Sequence, residues 1–581
     1  MAQHTSLTLP CVLVLSFAFS VALADVVEHS FYVEDNMIVN QLCSQRVITA
    51  VNGSLPGPTI AVREGDTLVV HVFNLSPYNL TIHWHGIFQY LSGWADGPAY
   101  VTQCPILPGN SYTYKFTITG QEGTLWWHAH VSMLRATVYG ALVIYPTPGR
   151  SYPFTAPDYE FIIHLGEWWN SNVIDVDEQG KLTGVGPNMS DAFTINGQPG
   201  DLYPCSSDST YKMNVVYGKT YLLRIINGAL DDQLFFKIAN HKMVVVAADA
   251  AYTTPYETDV VLLGPGQTTD VLMVADQSPG AYYMAARAYA SAKSVPPPPF
   301  DNTTATGIIT YVGAEISSTT PTMPVLPGFD DKDTAQRFHS SLTGLVNGPF
   351  WRPVPGPVDE NMFVTAGLGL LPCSNPGNIP CAIPGGLLRL TASMNNESFR
   401  LPTTLSILES HFNGVGGIYT DDFPDQPPVT FDYTNQQFSN LSVPANIAIS
   451  MSKVSTKVKR LPYNSTVQIV LQNTALVGIE SHPIHLHGYN FHILAQGFGN
   501  YDPVSDSSNF NLYNPQERNT IAVPAGGWAV IRFQANNPGA WIMHCHLDMH
   551  LEFGLATVFV VENGPTPETS LPPPPQDLPQ C

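Results

Sequence analysis

Apolar and polar residues alternate at period two along much of the chain. Thr67-Leu68-Val69-Val70-His71-Val72-Phe73-Asn74 follows Gly65, alternates in this way and stops at an Asn, as a half-buried strand should. The pattern recurs as Thr220-Tyr221-Leu222-Leu223-Arg224-Ile225-Ile226-Asn227 after Gly218. A third copy, Thr466-Val467-Gln468-Ile469-Val470-Leu471-Gln472-Asn473, has Asn464 in place of the glycine. Each copy is followed by a turn and a second strand: Leu107-Pro108-Gly109 into 112–116, Gly264-Pro265-Gly266 into 269–274, and Pro524-Ala525-Gly526 into 528–533. Repeated strand–turn–strand units with no long helical period between them predict an all-β chain of three sandwich domains. The expected limits are 25–150, 158–315 and 401–581. Pro296 to Pro299 and the Pro/Thr-rich stretch 315–328 punctuate the end of the second domain. Residues 316–400 are expected to connect it to the third, and the Pro-rich tail 565–580 to lie extended on the surface.

Composition agrees with this and narrows the partners. The chain has 581 residues, a size that holds about three domains at roughly 100–200 residues each. Charged residues make up 12 % and hydrophobic residues 44 %, which excludes disorder and long coiled coils. The 45 Gly and 50 Pro favour frequent turns. A net charge of −22, with no basic run longer than Lys457-Val458-Lys459-Arg460, argues against nucleic acid or an anionic membrane as partner.

Residues 10–24 form an apolar run too short to span a bilayer, ending in the small-x-small site Ala22-Leu23-Ala24. Residues 1–24 are therefore read as a secretory signal peptide, with the mature chain starting at Asp25, soluble and without membrane insertion. Sequons for N-glycosylation stand at Asn52, Asn74, Asn79, Asn188, Asn302, Asn396, Asn440 and Asn464. Of the eight cysteines, Cys11 leaves with the signal. The remaining seven are odd in number, so one thiol stays unpaired while six are able to form three disulfides.

The chain carries 18 His. Ten fall into four short clusters: His83-Trp84-His85, His128-Ala129-His130, His482-Pro483-Ile484-His485-Leu486-His487, and His544-Cys545-His546 with His550. The scattered ones (His4, His29, His71, His164, His241, His339, His411, His492) read as surface or satisfied core residues. In a strand, residues i and i+2 share a face, so each H-x-H presents two imidazoles side by side, and neutral imidazole is the commonest metal ligand. Ile82-His83-Trp84-His85-Gly86 is nearly copied as Ile484-His485-Leu486-His487-Gly488, whereas the middle repeat has no such pair. A metal site between the first and third domains follows, with His83, His85, His128, His130, His485, His487, His544 and His546 converging on it.

The H-C-H triplet is the most specific signal. Alternation sends Cys545 to one side and both His544 and His546 to the other, so three residues touch two metal sites and join them covalently. Cys545 with His482 and His550 makes a His₂Cys set suited to blue copper. A thiolate on a metal is unavailable for disulfides, which accounts for the odd cysteine. Zinc is the competing metal, but one zinc closes with four ligands, fewer than this array offers.

These four motifs resemble those of the multicopper oxidases, and the resemblance covers essentially the whole mature chain. Residues 83–106, 123–130 and 544–564 are similar to plant laccases. The resemblance implies three cupredoxin-like domains and four coppers. His482, Cys545 and His550 would hold type 1, and His83 and His485 type 2. The type 3 pair would sit on His85, His128 and His546 and on His130, His487 and His544. Leu555 occupies the position of an axial Met, as a non-ligand. The implied disulfides are Cys104–Cys581 and Cys43–Cys205, and Cys373 and Cys381 are close enough in sequence to pair locally.

The resemblance also implies the reaction: a phenol gives one electron near His550, and four such transfers reduce O₂ to two waters. Asp96 matches a family carboxylate near the trinuclear site, with an ordinary Asp-Gly turn as the alternative. Asp548 either orients a ligand or caps the turn after the strand. Asp231 and Asp232 lie where fungal relatives carry a phenol-binding carboxylate, although a solvated loop explains them better. His550, with an exposed ring edge, is the stronger candidate for substrate contact. The expected protein is a secreted, monomeric glycoprotein of the apoplast or cell wall. An ascorbate or metal-ion oxidase, and a non-catalytic wall glycoprotein of the same fold, are the rival readings. Leu555 and the complete ligand set count against them.

Overall fold

A computed structural model describes the chain except for residues 1–23, 294–297, 315–319, 374–380, 382 and 384–385. The expected signal peptide, apart from Ala24, and parts of both punctuating Pro-rich stretches lie outside the described residues.

Each of the three sequence repeats is the centre of one sheet, with the same neighbours. Val26–Gln41 runs parallel to Thr67–Asn74, which pairs antiparallel with Ser111–Thr117. Tyr159–Trp168, Thr220–Asn227 and Thr268–Val274 repeat this arrangement. So do Glu360–Pro372, Ser465–Asn473 and Gly527–Ala535. A second sheet packs on each first one: four strands including Gly123–Ala129 and Ile82–His85 in unit one, and five strands in each of the other two. In the third unit the second sheet includes His482–Leu486 and Gly539–Cys545.

Alternation dictates which face enters the core. Leu68, Val70 and Val72 are fully buried, while Thr67, Val69 and His71 between them are only half-buried. Each buried aliphatic side chain contributes about 1.5–3 kcal/mol. Phe31, Trp84 and Trp127 fill the space between the sheets of unit one, the rings of Phe31 and Trp127 lying 4.6 Å apart.

The segment 316–400 is not merely a connection, and this corrects the sequence reading. Glu360–Pro372, Leu388–Met394 and Glu397–Phe399 are consecutive strands of the third unit's eight-stranded sheet. Their apolar period is broken by Gly367 and Gly369, where added Cβ atoms would fall 2.1 Å from the Thr474 hydroxyl and 2.4 Å from that of Ser452. The absence of side chains that admits these neighbours also removes the alternation. What precedes Glu360 does connect, and it carries the helix Lys332–Ser341, capped by Asp331 accepting from the Thr334 N–H.

The Asn that ends each repeated strand has a structural task. Asn74 donates from Nδ2 to the carbonyls of Tyr78 (2.7 Å) and Ile106 (2.8 Å), and its Oδ1 accepts from Ser76. Asn227 donates to Asp232 and Leu263, and Asn473 to Glu480. All three are fully buried. Each satisfies carbonyls that the turn would otherwise leave orphaned.

Cys43–Cys205, Cys104–Cys581 and Cys373–Cys381 are disulfides, and among the described residues Cys545 is the free cysteine. The tail is tied to unit one beyond its disulfide: the Trp94 indole donates to the Pro572 carbonyl at 2.8 Å, and Asp577 accepts from the Thr113 N–H. Among the described residues no helix is long and apolar enough to cross a membrane.

Candidate metal centre

In unit one, His83 and His128 lie opposite each other on antiparallel strands, and in unit three His485 and His544 do the same. The two H-x-H strands face each other across the junction. The His83 ring stacks on His487 at 3.9 Å between centroids, and His85 on His485 at 3.8 Å. His130, His487 and His544 have centroids about 5.3 Å apart in every pairing. His546 completes the array beside His85 (4.8 Å) and His128 (5.4 Å). All eight imidazoles named from the sequence are thus brought together.

Which nitrogen points inward is set from outside. His83 donates from Nδ1 to the Asp96 carbonyl (2.7 Å), His128 to Ala129, His485 to Asn519 and His544 to Cys545. Asp96 also accepts from His487 Nδ1 through its carboxylate at 2.8 Å. The Nε2 atoms of His83, His128, His130 and His485 are buried with no hydrogen-bond partner. Burial pushes the imidazole pKa values down, to about 3 for His544 and well below the usual value for His85, His128, His130, His485, His487 and His546. Neutral rings with unpaired inward nitrogens are what a metal cluster requires.

The second site lies on the other side of the H-C-H strand. Cys545 Sγ is 3.5 Å from His550 Nδ1 and 3.8 Å from His482 Nδ1, and the three ligand atoms lie close enough to share one ion. Leu555 is fully buried and fixed from both sides, its carbonyl accepting from the Cys545 N–H and its N–H donating to the His550 carbonyl. One buried thiol with two imidazoles and, among the described residues, no fourth ligand grouped with them fits copper better than zinc.

The remaining candidates need correction. The expected exposed edge of His550 is absent: the helix Asp548–Glu552 turns the ring inward, it is 0 % exposed, and Glu480 Oε1 sits 3.0 Å from its Nε2. Asp231 is half-buried rather than part of a solvated loop, with Oδ1 unpartnered, and it is near enough to His550 for that charge to oppose the effect of burial on its carboxyl. Asp232 is half-buried as well. Asp548 caps nothing; it faces Arg135 at 3.5 Å, and burial raises its carboxyl to about 7. Arg135 in turn bonds the His546 ring and carbonyl.

Glu480 is absent from the sequence reading, although Glu480-Ser481-His482 places it on the same face as His482 by simple alternation. Nothing local marks Arg135. A cavity of about 610 Å³ opens beside His130, His544 and His546, walled by Val131, Leu551 and Phe553.

Residues 34–149, 159–314 and 422–565 match multicopper oxidase family models. The chain belongs to the multicopper oxidase family. It is a laccase-type enzyme of that family, with copper as its cofactor and phenols as its reductants. It is 60 % identical to Laccase-7 of Arabidopsis thaliana over 98 % of both chains, and 55 % identical to Laccase-24 of Oryza sativa over 98 % of both. Among solved structures it resembles the laccase of Botrytis aclada, with 27 % identity, a TM-score of 0.72 and coverage of 95 % of this chain and 90 % of that one. The fold alone is shared with Fet3p, at 21 % identity and a TM-score of 0.69 over 95 % and 98 % of the two chains.

Proposed function

We propose that the chain is a secreted laccase of the apoplast or cell wall that couples monolignols or related phenols. In this reading His482, Cys545 and His550 hold type 1 copper, with Leu555 in the axial position, and His83 and His485 hold type 2. His85, His128 and His546, and His130, His487 and His544, hold the type 3 pair. When bound, the coppers supply one-electron acceptance and storage, matching single-electron donors to the four-electron reduction of O₂ to water.

The residues of the chain do the rest. Glu480 and Asp231 flank His550 and offer carboxylate acceptors to a phenolic hydroxyl. Cys545 meets His482 and His550 with its sulfur, while its bonded neighbours His544 and His546 end in the eight-imidazole cluster, so the backbone itself is the conductor. Asp96 fixes the His487 tautomer and is the buried carboxylate that passes protons towards the cluster. The protein acts as a monomer, with glycans on its exposed sequons.

The observation that carries this reading is the free, fully buried Cys545 between two separate groups of imidazoles. The test combines copper quantification with oxygen uptake on a methoxyphenol, ascorbate and Fe²⁺ side by side. Blue protein that consumes oxygen fastest with the phenol is expected. Colourless protein with full copper, or a preference for Fe²⁺ or ascorbate, would overturn it.

A further inference from the structure

The middle unit supplies none of the eight imidazoles, yet it reaches the cluster at two points. The first is the turn Gly264-Pro265-Gly266. Gly266 has φ +88°, and a Cβ there would stand 2.9 Å from both His85 Cε1 and His546 Cδ2, so its backbone lies directly against the two rings. Next to it, Gln267 donates from Nε2 to the Thr520 carbonyl at 2.9 Å.

The second point is Asp249, buried and in the left-handed region at φ 48°. Its carboxylate accepts from Arg518 Nε and Nη2 (both 3.0 Å), from the Thr268 N–H (2.9 Å), and from the N–H groups of Asn519 and Thr520 (both 3.3 Å). It therefore fixes the backbone of Arg518-Asn519-Thr520 in the third unit. That segment meets the imidazoles. The Asn519 carbonyl accepts from His485 Nδ1 at 2.9 Å. Asn519 Oδ1 and Thr520 Oγ1 lie 3.1 and 3.2 Å from His85 Nε2, and Thr520 donates its hydroxyl to Asn519 Oδ1 at 2.8 Å.

The consequence is chemical. His83, His128, His485, His487 and His544 bond outward through Nδ1. His85 is reversed: Nε2 is bonded outward and Nδ1 faces inward, 3.2 Å from His546 Nε2. The acceptors on Asn519 and Thr520 select that tautomer.

We propose that the middle unit positions the His85–His485 edge of the copper cluster, with Asp249 holding Asn519 and Thr520 against the two rings and Gly266 closing the cluster from the same side. The proposal rests on the ligand assignment above. Asp249, Asn519 and Gly266 are positioning residues that touch neither substrate nor metal.

The experiment uses the copper-loaded full chain and reads copper retention against a chelator, the electron paramagnetic resonance signal of type 2 copper, and the blue band of type 1. Asn519→Leu and Gly266→Ala, which bear on His85 and His546, are expected to retain trinuclear copper about 10- to 100-fold less well with an undiminished blue band. Asp249→Asn, which also loosens the Asn519 carbonyl on His485, is expected to alter the type 2 signal as well. Asn519→Asp, which restores an acceptor oxygen, is expected to recover native copper retention. The Asn519 pair decides the matter even where Asp249→Asn fails to fold. His485→Ala is the control for the ligand assignment. If it loses type 2 copper while Asn519→Leu and Gly266→Ala keep native copper retention, the positioning role is wrong. If His485→Ala keeps full copper, the ligand assignment fails and the proposal falls with it.

Discussion

Asp96 Oδ2 lies 2.8 Å from Nδ1 of His487, a bond that crosses from the first unit to the third with both groups fully buried. The Asp96 carbonyl takes the Nδ1–H of His83 as well, so one residue orients two rings that stack on each other at 3.9 Å. Gly97 is what allows the approach: at φ +98°, a Cβ would sit 1.9 Å from the Ile82 carbonyl oxygen. The Asp-Gly pair is a turn, as its local sequence indicates, and the turn delivers a carboxylate to the cluster.

Asp96→Asn keeps the shape and an acceptor oxygen but removes the charge. The expected result is a fall in kcat of about 10- to 100-fold, with the blue absorption unchanged because Cys545 is untouched. Steady-state oxygen uptake beside a visible spectrum measures both. An unaltered kcat would remove Asp96 from proton supply.

Replacing Cys545 by Ser is expected to abolish both the blue band and phenol turnover while leaving all three disulfides in place. Thiol titration of the unfolded chains should find one free thiol in the native protein and none in the variant. Retained colour would place the chromophore elsewhere.

Leu555→Met puts a thioether where an apolar side chain now stands. A weak axial donor favours Cu(II), so the type 1 reduction potential should drop, each 59 mV being a tenfold change in the one-electron equilibrium. Potentiometric titration of the blue band reads it directly. A rise would show that Leu555 does not face the metal.

Glu517 gives a test by pH. It lies opposite His492 on a neighbouring strand, and burial raises its carboxyl to about 7 against the partial opposition of Arg352. An unfolded Glu titrates near about 4.3, so the folded state binds the extra proton. Its contribution to stability is complete below about pH 4 and is lost as pH rises through 7. Glu517→Gln should flatten the decline in thermal midpoint between pH 5 and pH 8. An identical decline in both proteins would show that Glu517 is ionised throughout.

The parts of this molecule that are legible in sequence are local ones. The strands at 67–74, 220–227 and 465–473 announce themselves because each buries alternate residues, and the H-x-H pairs because i and i+2 share a face. Glu360–Pro372 is hidden because its glycines accommodate Thr474 and Ser452 instead of presenting side chains of their own. Glu480 on His550, Asp249 on Arg518 and Arg135 on His546 join residues far apart in the chain, and no spacing rule connects them. The burial of His550 has the same origin, since it sits on the short helix Asp548–Glu552 and Glu480, against its Nε2, comes from a segment far away in the chain. Contacts within a strand follow from its period, whereas contacts between units depend on how three finished sandwiches meet.

Asn74 belongs both to the hydrogen bonds that close a turn and to an N-x-S sequon. Both Nδ2 hydrogens of Asn74 are in use, one on the Tyr78 carbonyl and one on that of Ile106, and the side chain is fully buried. A sugar on that nitrogen would replace one of the two donors and would need room that the closed turn does not leave, so a glycan at this sequon and the native first sandwich exclude each other.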